Sequence, residues 1–339
     1  MPQNTLYSSR AQKACSMATI LLPSGQKASP AEVDLFKKHA GTLLPPNAAS
    51  RIDQAEQMGG ILVRIPAGTI LGKPIQLTLK EPESTHVVVI IGAGAKTTIV
   101  HESVAASAIE VFLEPESQVE FVSLSLVDAR GPRFDIHGPR AESALLYYYD
   151  CLALGSSITW HLAMFGGSDV HCDLRSEAIG EHASSTVNWM VHVKGTERID
   201  LSARNVFSAR DGGGEITIKG IAEDRGVIRA HGMIDIGLGG GGTNTYLTQE
   251  VLMLDASAKV DAVPALEIKT NDVKASHSAS IACVTEEDLF YFASRGIDQE
   301  EARGMFIRGF LGDVAERISN EEVRERVVKM IEERCGTRK

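Results

Sequence analysis

The sequence has few cysteines, and none is close to another. The five cysteines are Cys15, Cys151, Cys172, Cys283 and Cys335. Without a CxxC pair, the local sequence does not supply a four-thiolate site for a metal or cluster. An odd, scattered set of thiols is typical of proteins that are kept reduced in the cytosol. We therefore expect a cytoplasmic protein with no tightly bound cofactor of its own.

Long hydrophobic runs and a surplus of basic residues are also missing. No apolar run approaches the roughly 20 residues that a membrane-spanning helix needs. The first 20 residues contain no hydrophobic stretch that ends in a signal-cleavage site. The net charge of −10 opposes binding to nucleic acid or to anionic lipid. We expect a soluble chain whose partners are proteins, with no nucleic acid and no membrane.

Motifs for phosphate binding and for nucleophilic hydrolysis are absent as well. Residues 92–96 read GAGAK, which lacks the third glycine of a dinucleotide fingerprint and the GK[ST] of a Walker A loop. His277 lies between two serines, but no G-x-S-x-G element accompanies it. The sequence therefore favours a protein that is not an enzyme.

What the sequence does contain is a long series of short β-type runs. Residues 87–91 are five consecutive β-branched residues, a pattern typical of a strand that is buried on both faces. Between residues 145 and 263, turn signals recur about every ten residues. This interval indicates a mainly β protein, and by itself it allows a sandwich, a barrel or a β-helix.

Four histidines follow the same interval. His161, His171, His182 and His192 are spaced by ten, eleven and ten residues. If each coil of a β-helix used about 20 residues, His161 would stack near His182, and His171 near His192. Such a ladder could chelate a metal ion. Strands at a fixed pitch also align similar residues without any metal, and we favour that interpretation.

Two capped helices are predicted near the C-terminus. Thr285 precedes an acidic first turn, and Asp298 is followed three residues later by Glu301, so both are N-cap signals. Gly296 separates the two helices. The second helix then carries one apolar stripe, formed by Ala302, Phe306, Phe310, Val314 and Ile318.

The stretch from residue 264 to residue 314 resembles a known family. It contains, in order, PALEI, DVKASH, EEDLFYF, SRGI and GFLGDV. This series resembles the C-terminal signature of the SufB/SufD family, the scaffold subunits of SUF iron–sulfur cluster assembly. DVKASH is similar to the SufD branch. The SufB branch carries a cysteine in a TQCD-like stretch, where this sequence has Glu250.

The resemblance implies a fold. It predicts a right-handed parallel β-helix core, with a short helical N-terminal segment and a helical C-terminal region. The expected segments are residues 1–59, residues 60–282 for the β-helix, and residues 283–339. The first of these is shorter than the usual N-terminal helical domain of the family.

The resemblance also implies a function. It predicts a non-catalytic scaffold that pairs with a SufB-like subunit or with itself, and that docks a SufC-like ABC ATPase. A transient iron–sulfur cluster would form only in the assembled complex. Two alternatives stay open. One is a minimal homodimeric SufB-like scaffold that works with its ATPase alone, and the other is a β-helix carbohydrate-active enzyme, which would need a groove of acidic, arginine and aromatic residues.

The family's functional residues are expected in two groups. The resemblance places His277 at the scaffold interface, where it would be a transient metal ligand shared with the partner. Glu267 and Glu250 are further candidates for the cluster-assembly interface, although the family's SufB-type cysteine is missing at Glu250 and Ala275 replaces a thiol of some relatives. The candidates for ATPase docking are Phe290, Tyr291, Arg295, Phe306, Arg308 and Phe310.

Overall fold

The structure is a computed structural model that describes residues 5–6, 20–21, 27–44, 60–79, 85–103, 107–126 and 143–335. Within these ranges the helices are α1 (Pro30–His39), α2 (Glu286–Ala293), α3 (Gln299–Ala315) and α4 (Glu321–Cys335). In the described ranges, no helix has the length and apolar character needed to cross a bilayer. The strands are β1 (Thr5–Leu6), β2 (Ile20–Leu21), β3 (Gly60–Ile65), β4 (Ile75–Leu79), β5 (Thr85–Ile91), β6 (Lys96–Ser103), β7 (Ser107–Leu113), β8 (Gln118–Leu126), β9 (Ser143–Leu152), β10 (Ser157–Phe165), β11 (Asp169–Ala178), β12 (Ser184–Val193), β13 (Arg198–Phe207), β14 (Gly213–Ala222), β15 (Val227–Ile236), β16 (Asn244–Met253), β17 (Lys259–Ile268) and β18 (Lys274–Cys283).

Successive strands alternate between two parallel sheets. Sheet A has the order β1-β4-β6-β8-β10-β12-β14-β16-β18, and sheet B has the order β17-β15-β13-β11-β9-β7-β5-β3-β2. The pairings are parallel, as between β10 and β12 in sheet A and between β11 and β13 in sheet B. The chain therefore winds into a β-solenoid of about seven turns. This confirms the predicted mainly β class and the parallel β-helix core, while the right-handed sense stays a prediction.

The interior of the solenoid is filled by alternate residues of the central strands. On β12 the alternation sends Val187, Trp189 and Val191 inward, and all three are fully buried. Because parallel strands are in register, inward residues of successive turns stack on one another. Trp160 pairs with Phe121 of the preceding turn, and their ring centroids are 4.5 Å apart. These columns remove a large apolar area from water, which is the main force that holds the coil together.

The turns from sheet B to sheet A also stack in register. Gly155 N donates to Glu181 O at 2.8 Å, and His182 N donates to Arg210 O at 3.0 Å. Gly155 and His182 have φ of 62° and 58°, the left-handed conformation that closes a tight turn. Backbone groups that a lone turn would expose to water are therefore paired with the next turn.

The predicted stack of histidines does not form. One turn of the solenoid carries His161 to Asn188, so a turn uses roughly 30 residues rather than about 20. The prediction counted strands but left out the turns, which add several residues to each pair of ten-residue strands. The four histidines lie apart: His161 and His192 buried on the outer face of sheet A, His171 exposed on sheet B, and His182 in a turn.

Helices α3 and α4 cover the outer face of sheet A. Leu311, Val314 and Val327 of the helices are buried in one hydrophobic cluster with Val122 and Phe165 of the sheet. The predicted helical C-terminal region is therefore confirmed, and it shares a core with the solenoid. The division into segments 1–59, 60–282 and 283–339 stays a prediction.

Helix α1 covers the beginning of sheet B. Ser29 caps it, because its hydroxyl accepts from Glu32 N at 3.4 Å and the Glu32 carboxylate accepts from Ser29 N. Phe36 then packs against Leu62 and Val88 on the outer face of the sheet. The short helical segment predicted before the β-helix is present.

Both predicted caps of the C-terminal helices are observed. Thr285 and Asp288 form a capping box, in which the threonine hydroxyl accepts from Asp288 N at 3.2 Å. Asp298 accepts from Glu301 N at 2.8 Å at the start of α3. These two positions depend only on local chemistry, which is why the sequence could predict them.

Candidate functional site

The last turn of the solenoid ends in an open surface. β17 and β18 are the final strands of their sheets, and no described strand lies beyond them. Leu247 of the preceding turn is fully buried, whereas His277, its register partner on β18, is exposed. Each of these two strands therefore offers backbone N–H and C=O groups along one edge. We call the surface formed by residues 259–283 the open end.

His277 is the fourth residue of β18, the last strand of sheet A. Register partners on parallel strands face the same side of a sheet, so His277 faces the interior side as Leu247 does. Its neighbours Ser276 and Ser278 face outward for the same reason. The imidazole therefore lies over the end of the hydrophobic column and not on the outer wall of the solenoid.

The open end differs in charge from the chain as a whole. Residues 259–283 contain three lysines and three acidic residues, whereas the whole chain carries −10. Val263, Ile268 and Ile281 are exposed at this end. A neutral, partly apolar surface with two strand edges is suited to contact with another protein.

The two glutamates predicted to accompany His277 are on the outer faces of the sheets and not on the interior side that His277 faces. Glu250 is on the outer face of sheet A, with its carboxylate 3.2 Å from Lys219 Nζ. Glu267 is on the outer face of sheet B, where a hydrogen bond from Lys269 at 2.8 Å lowers the pKa of its carboxyl group. The structure therefore does not bring the three candidates into one site.

Helix α2 follows the open end and projects into solvent. In α2, which the structure describes in full, no residue is buried. Phe290 is 73% exposed and Tyr291 is 54% exposed. The guanidinium of Arg295 lies 4.5 Å from the centroid of the Tyr291 ring. Phe292 joins the helix to α3 through an edge-on contact with Phe306, at 5.4 Å between centroids. We call Phe290, Tyr291 and Arg295 the α2 surface.

The docking candidates on α3 are divided between the core and the surface. Phe306 and Phe310 are half-buried and pack against the cluster shared with sheet A. Lys219 Nζ lies 5.1 Å from the centroid of the Phe310 ring. Arg308 is exposed. The two phenylalanines therefore support the fold, and Arg308 presents its side chain to solvent.

A cavity on the outer face of sheet B was missed by sequence reasoning. Its volume is about 430 Å³, and it is lined by Leu145, Tyr147, His171, Cys172, Asp173, Asp200 and Ser202. These residues come from β9, β11 and β13, so the solenoid brings together residues that are far apart in sequence. Within the described parts of the chain, no group of three or more His, Cys, Asp or Glu residues is placed to hold a metal ion.

Comparison with known proteins decides the family. Residues 78–310 match the SufBD core domain, described as part of SUF system FeS cluster assembly. The match covers more than half of the chain. The chain belongs to the SufBD core family. The predicted resemblance to SufB/SufD proteins is thereby confirmed.

The relatives of this SufBD family chain include two SufD proteins. SufD of Bacillus subtilis is 29% identical over 177 residues, which are 52% of this chain and 40% of the relative. SufD of Escherichia coli is 27% identical over 174 residues, 51% of this chain and 41% of the relative. These matches support the SufD-like branch.

A wider match comes from other family members. An iron–sulfur cluster assembly SufBD family protein of Staphylococcus saprophyticus is 23% identical over 299 residues, 82% of this chain and 61% of that protein. A family member of Mycobacterium tuberculosis is 23% identical over 223 residues, but only 25% of its length is matched. The chain thus spans less than two thirds of the length of these relatives.

Proposed function

We propose that this SufBD family chain is a non-catalytic scaffold subunit of a SUF-type iron–sulfur cluster assembly complex. The observation that carries the proposal is the open end, which presents the exposed His277 on a neutral surface with two strand edges. Strand edges pair readily with strands of another chain, and such pairing brings side chains from both chains close together. Family membership gives no support to the alternative of a carbohydrate-active enzyme.

The partner at the open end is a SufB-like subunit or a second copy of this chain. The absence of net charge in residues 259–283 favours either, since it removes the local repulsion that a −10 chain would otherwise exert on a copy of itself. The homodimer is therefore the second candidate. The scattered thiols agree with a cytoplasmic complex.

The cluster is the cargo of this complex, and His277 is the ligand that this chain contributes. One imidazole cannot hold a cluster alone, so thiolate or carboxylate ligands must come from the partner. Glu250 stands where SufB-type chains carry a cysteine, and it is paired with Lys219 on the outer face of sheet A. This arrangement supports a role for Glu250 in fastening α3, and not in the open end.

The α2 surface is the proposed docking site of a SufC-like ABC ATPase. Exposed aromatic and arginine residues are the side chains that most often dominate protein interfaces. Only two residues, Val284 and Thr285, separate β18 from α2. An ATPase held at α2 would therefore act next to the surface on which the cluster is built.

Co-purification of the untagged complex with its ATPase and scaffold partner, followed by His277→Ala, tests the proposal. We expect the variant to keep its partners and ATPase stimulation, while iron and labile sulfide in the complex fall about tenfold or more, because loss even of a group that supports a metal ligand has an effect of that size. His231→Ala is the matched control, because His231 is an exposed histidine on sheet B. Normal cluster content in His277→Ala, or no co-purifying ATPase, would contradict the proposal.

A further inference from the structure

Three glutamates on the outer faces of the solenoid each connect a buried histidine to a helical element. Each carboxylate lies within 3.4 Å of a ring nitrogen of its histidine. The pairs are His86–Glu110, His161–Glu120 and His192–Glu223. A buried histidine paired with a glutamate therefore recurs at three separate places where helical elements contact the sheets.

The helical elements supply a donor to each of these carboxylates. The contacts are Gly41 N to Glu110 at 2.6 Å, Ser319 N to Glu120 at 2.7 Å, and Arg303 Nη1 to Glu223 at 3.5 Å. Gly41 follows α1, Ser319 lies between α3 and α4, and Arg303 belongs to α3. In each case a change in the protonation of the histidine would alter its interaction with the carboxylate that also binds the helical element.

The geometry around His192, with α3 and α4 packed on sheet A, fixes the protonation state of its imidazole. Its side chain is fully buried, and its Nε2 lies 2.6 Å from Glu223 Oε1. Its Nδ1 is also buried and has no hydrogen-bond partner among the described residues. A proton on Nδ1 would be an unsatisfied buried donor, which is costly. The imidazole is therefore neutral, with its proton on Nε2 and donated to Glu223.

Charged groups reach His192 from each element that packs around it. The basic groups are Lys194 on the following turn, Arg303 on α3 and Arg334 on α4, and the acidic groups are Glu223, Glu197, which pairs with Arg334, and Asp255, which pairs with Arg303. Burial lowers the pKa of His192; Glu223 raises it, and Arg334 and Lys194 lower it further. The balance leaves the pKa below its ordinary value.

We propose that His192 is an acid-sensitive latch that holds the α3–α4 layer on sheet A. While α3 and α4 are packed on sheet A, protonation of His192 would add a fourth positive charge and a buried N–H without a partner. If the two helices moved away from the sheet, water could solvate both the charge and the N–H. This inference goes beyond the proposed scaffold function, which requires neither acid nor movement of the layer.

The direction of the pH effect follows from the affinity of His192 for protons. The closed layer binds this proton more weakly than the open layer, so the layer is most stable above the ordinary histidine pKa of about 6.5. Stability falls as the pH drops below that value, by up to about tenfold in the opening equilibrium per pH unit for one proton. For Glu223, burial opposes ionisation, but the hydrogen bond from His192 and the nearby positive charges of Arg303 and Lys194 together outweigh it, and the pKa is lowered. Glu223 therefore titrates below this range.

Amide hydrogen exchange on the full chain at pH 7.5, 6.5 and 5.5, corrected for intrinsic rates, measures the opening directly. We expect peptides of α3 and α4 to lose protection by up to about tenfold between pH 6.5 and 5.5, while β11 and β13 of sheet B keep theirs. In His192→Gln, the side-chain amide retains an N–H for Glu223 but cannot gain a proton. The pH-dependent loss should then shrink at least by half. His231→Gln, at an exposed histidine on sheet B, should keep the wild-type slope.

Two outcomes would overturn the latch. One is a wild-type layer whose protection does not change with pH, and the other is an unchanged slope in His192→Gln. If the variant does not fold, hydrogen exchange at the imidazole carbon of the wild-type protein gives the pKa of His192 without mutation. A pKa below about 6.5 is expected, and a value at or above it would also overturn the proposal.

Discussion

Two helices of the C-terminal region, α2 and α3, have similar N-terminal caps but differ in how much of each helix is buried. Thr285 caps α2 and Asp298 caps α3, and both helices have acidic first turns. Yet α3 has six buried residues, among them Leu311, whereas Phe290 of α2 is 73% exposed. The difference arises from sheet A, whose apolar outer face lies under α3 and not under α2. Local sequence decides where a helix begins, and the surface beneath it decides what its apolar residues contact.

Among the changes that test this difference between α2 and α3, removal of α3 and α4 should have the largest effect on the stability of the chain. Deletion of residues 298–339 would expose Val122, Phe165 and Met190 on the outer face of sheet A, which now lie in a cluster with the helices. We expect the truncated chain to aggregate or to lose its cooperative thermal transition, because a large apolar patch would face water.

Circular dichroism melting and size-exclusion chromatography would detect this loss. A double variant of the α2 surface, Phe290→Ala with Tyr291→Ala, is the control, and it should melt as the wild type does. A soluble, monomeric truncated chain with the wild-type melting temperature would show that α3 and α4 are as dispensable to the solenoid as α2.

A single substitution within α3 makes the same comparison on a smaller scale. Leu311 is fully buried, whereas Met305 on the same helix is 41% exposed. Leu311→Ala should lower the free energy of unfolding by about 2–5 kcal/mol, because it leaves a cavity under the helix. Met305→Ala should change it by less than about 0.5 kcal/mol. Urea titration of both variants would measure the difference, and equal losses would mean that α3 is not anchored through Leu311.

The sequence predicted features of the fold that depend on neighbouring residues. The caps at Thr285 and Asp298 need only a few consecutive residues, and both were found in their expected places. The prediction that His161 stacks on His182 was wrong, because it depended on the number of residues in a whole turn of the solenoid. That length depends on the turns between the strands, which the ten-residue spacing of the signals did not reveal.

The spatial arrangement of the candidate residues could not be predicted from the sequence, for two physical reasons. Alternation along a strand separates faces, so Glu267 on β17 and His277 on β18 face opposite sides of the solenoid wall and do not converge. An apolar residue on a helix has the same sequence signal whether it packs on a sheet or binds a partner. The sequence therefore could not show that Phe306 and Phe310 are half-buried while Phe290 is exposed. The cavity on sheet B and the contact of Arg303 with Glu223 join residues that are distant in sequence and carry no local signal.

The smallest effect on stability, and the most specific one on assembly, is expected at the α2 surface. Phe290→Ala with Tyr291→Ala removes two exposed rings, so the free energy of unfolding should change by less than about 1 kcal/mol. If these rings anchor a SufC-like ATPase, its dissociation constant should rise about tenfold or more, which corresponds to about 1.4 kcal/mol. Titration calorimetry with the purified ATPase would measure it, with Met305→Ala as the control on α3. An unchanged dissociation constant, or no measurable binding to the wild-type chain, would contradict the proposed docking of the ATPase on the α2 surface.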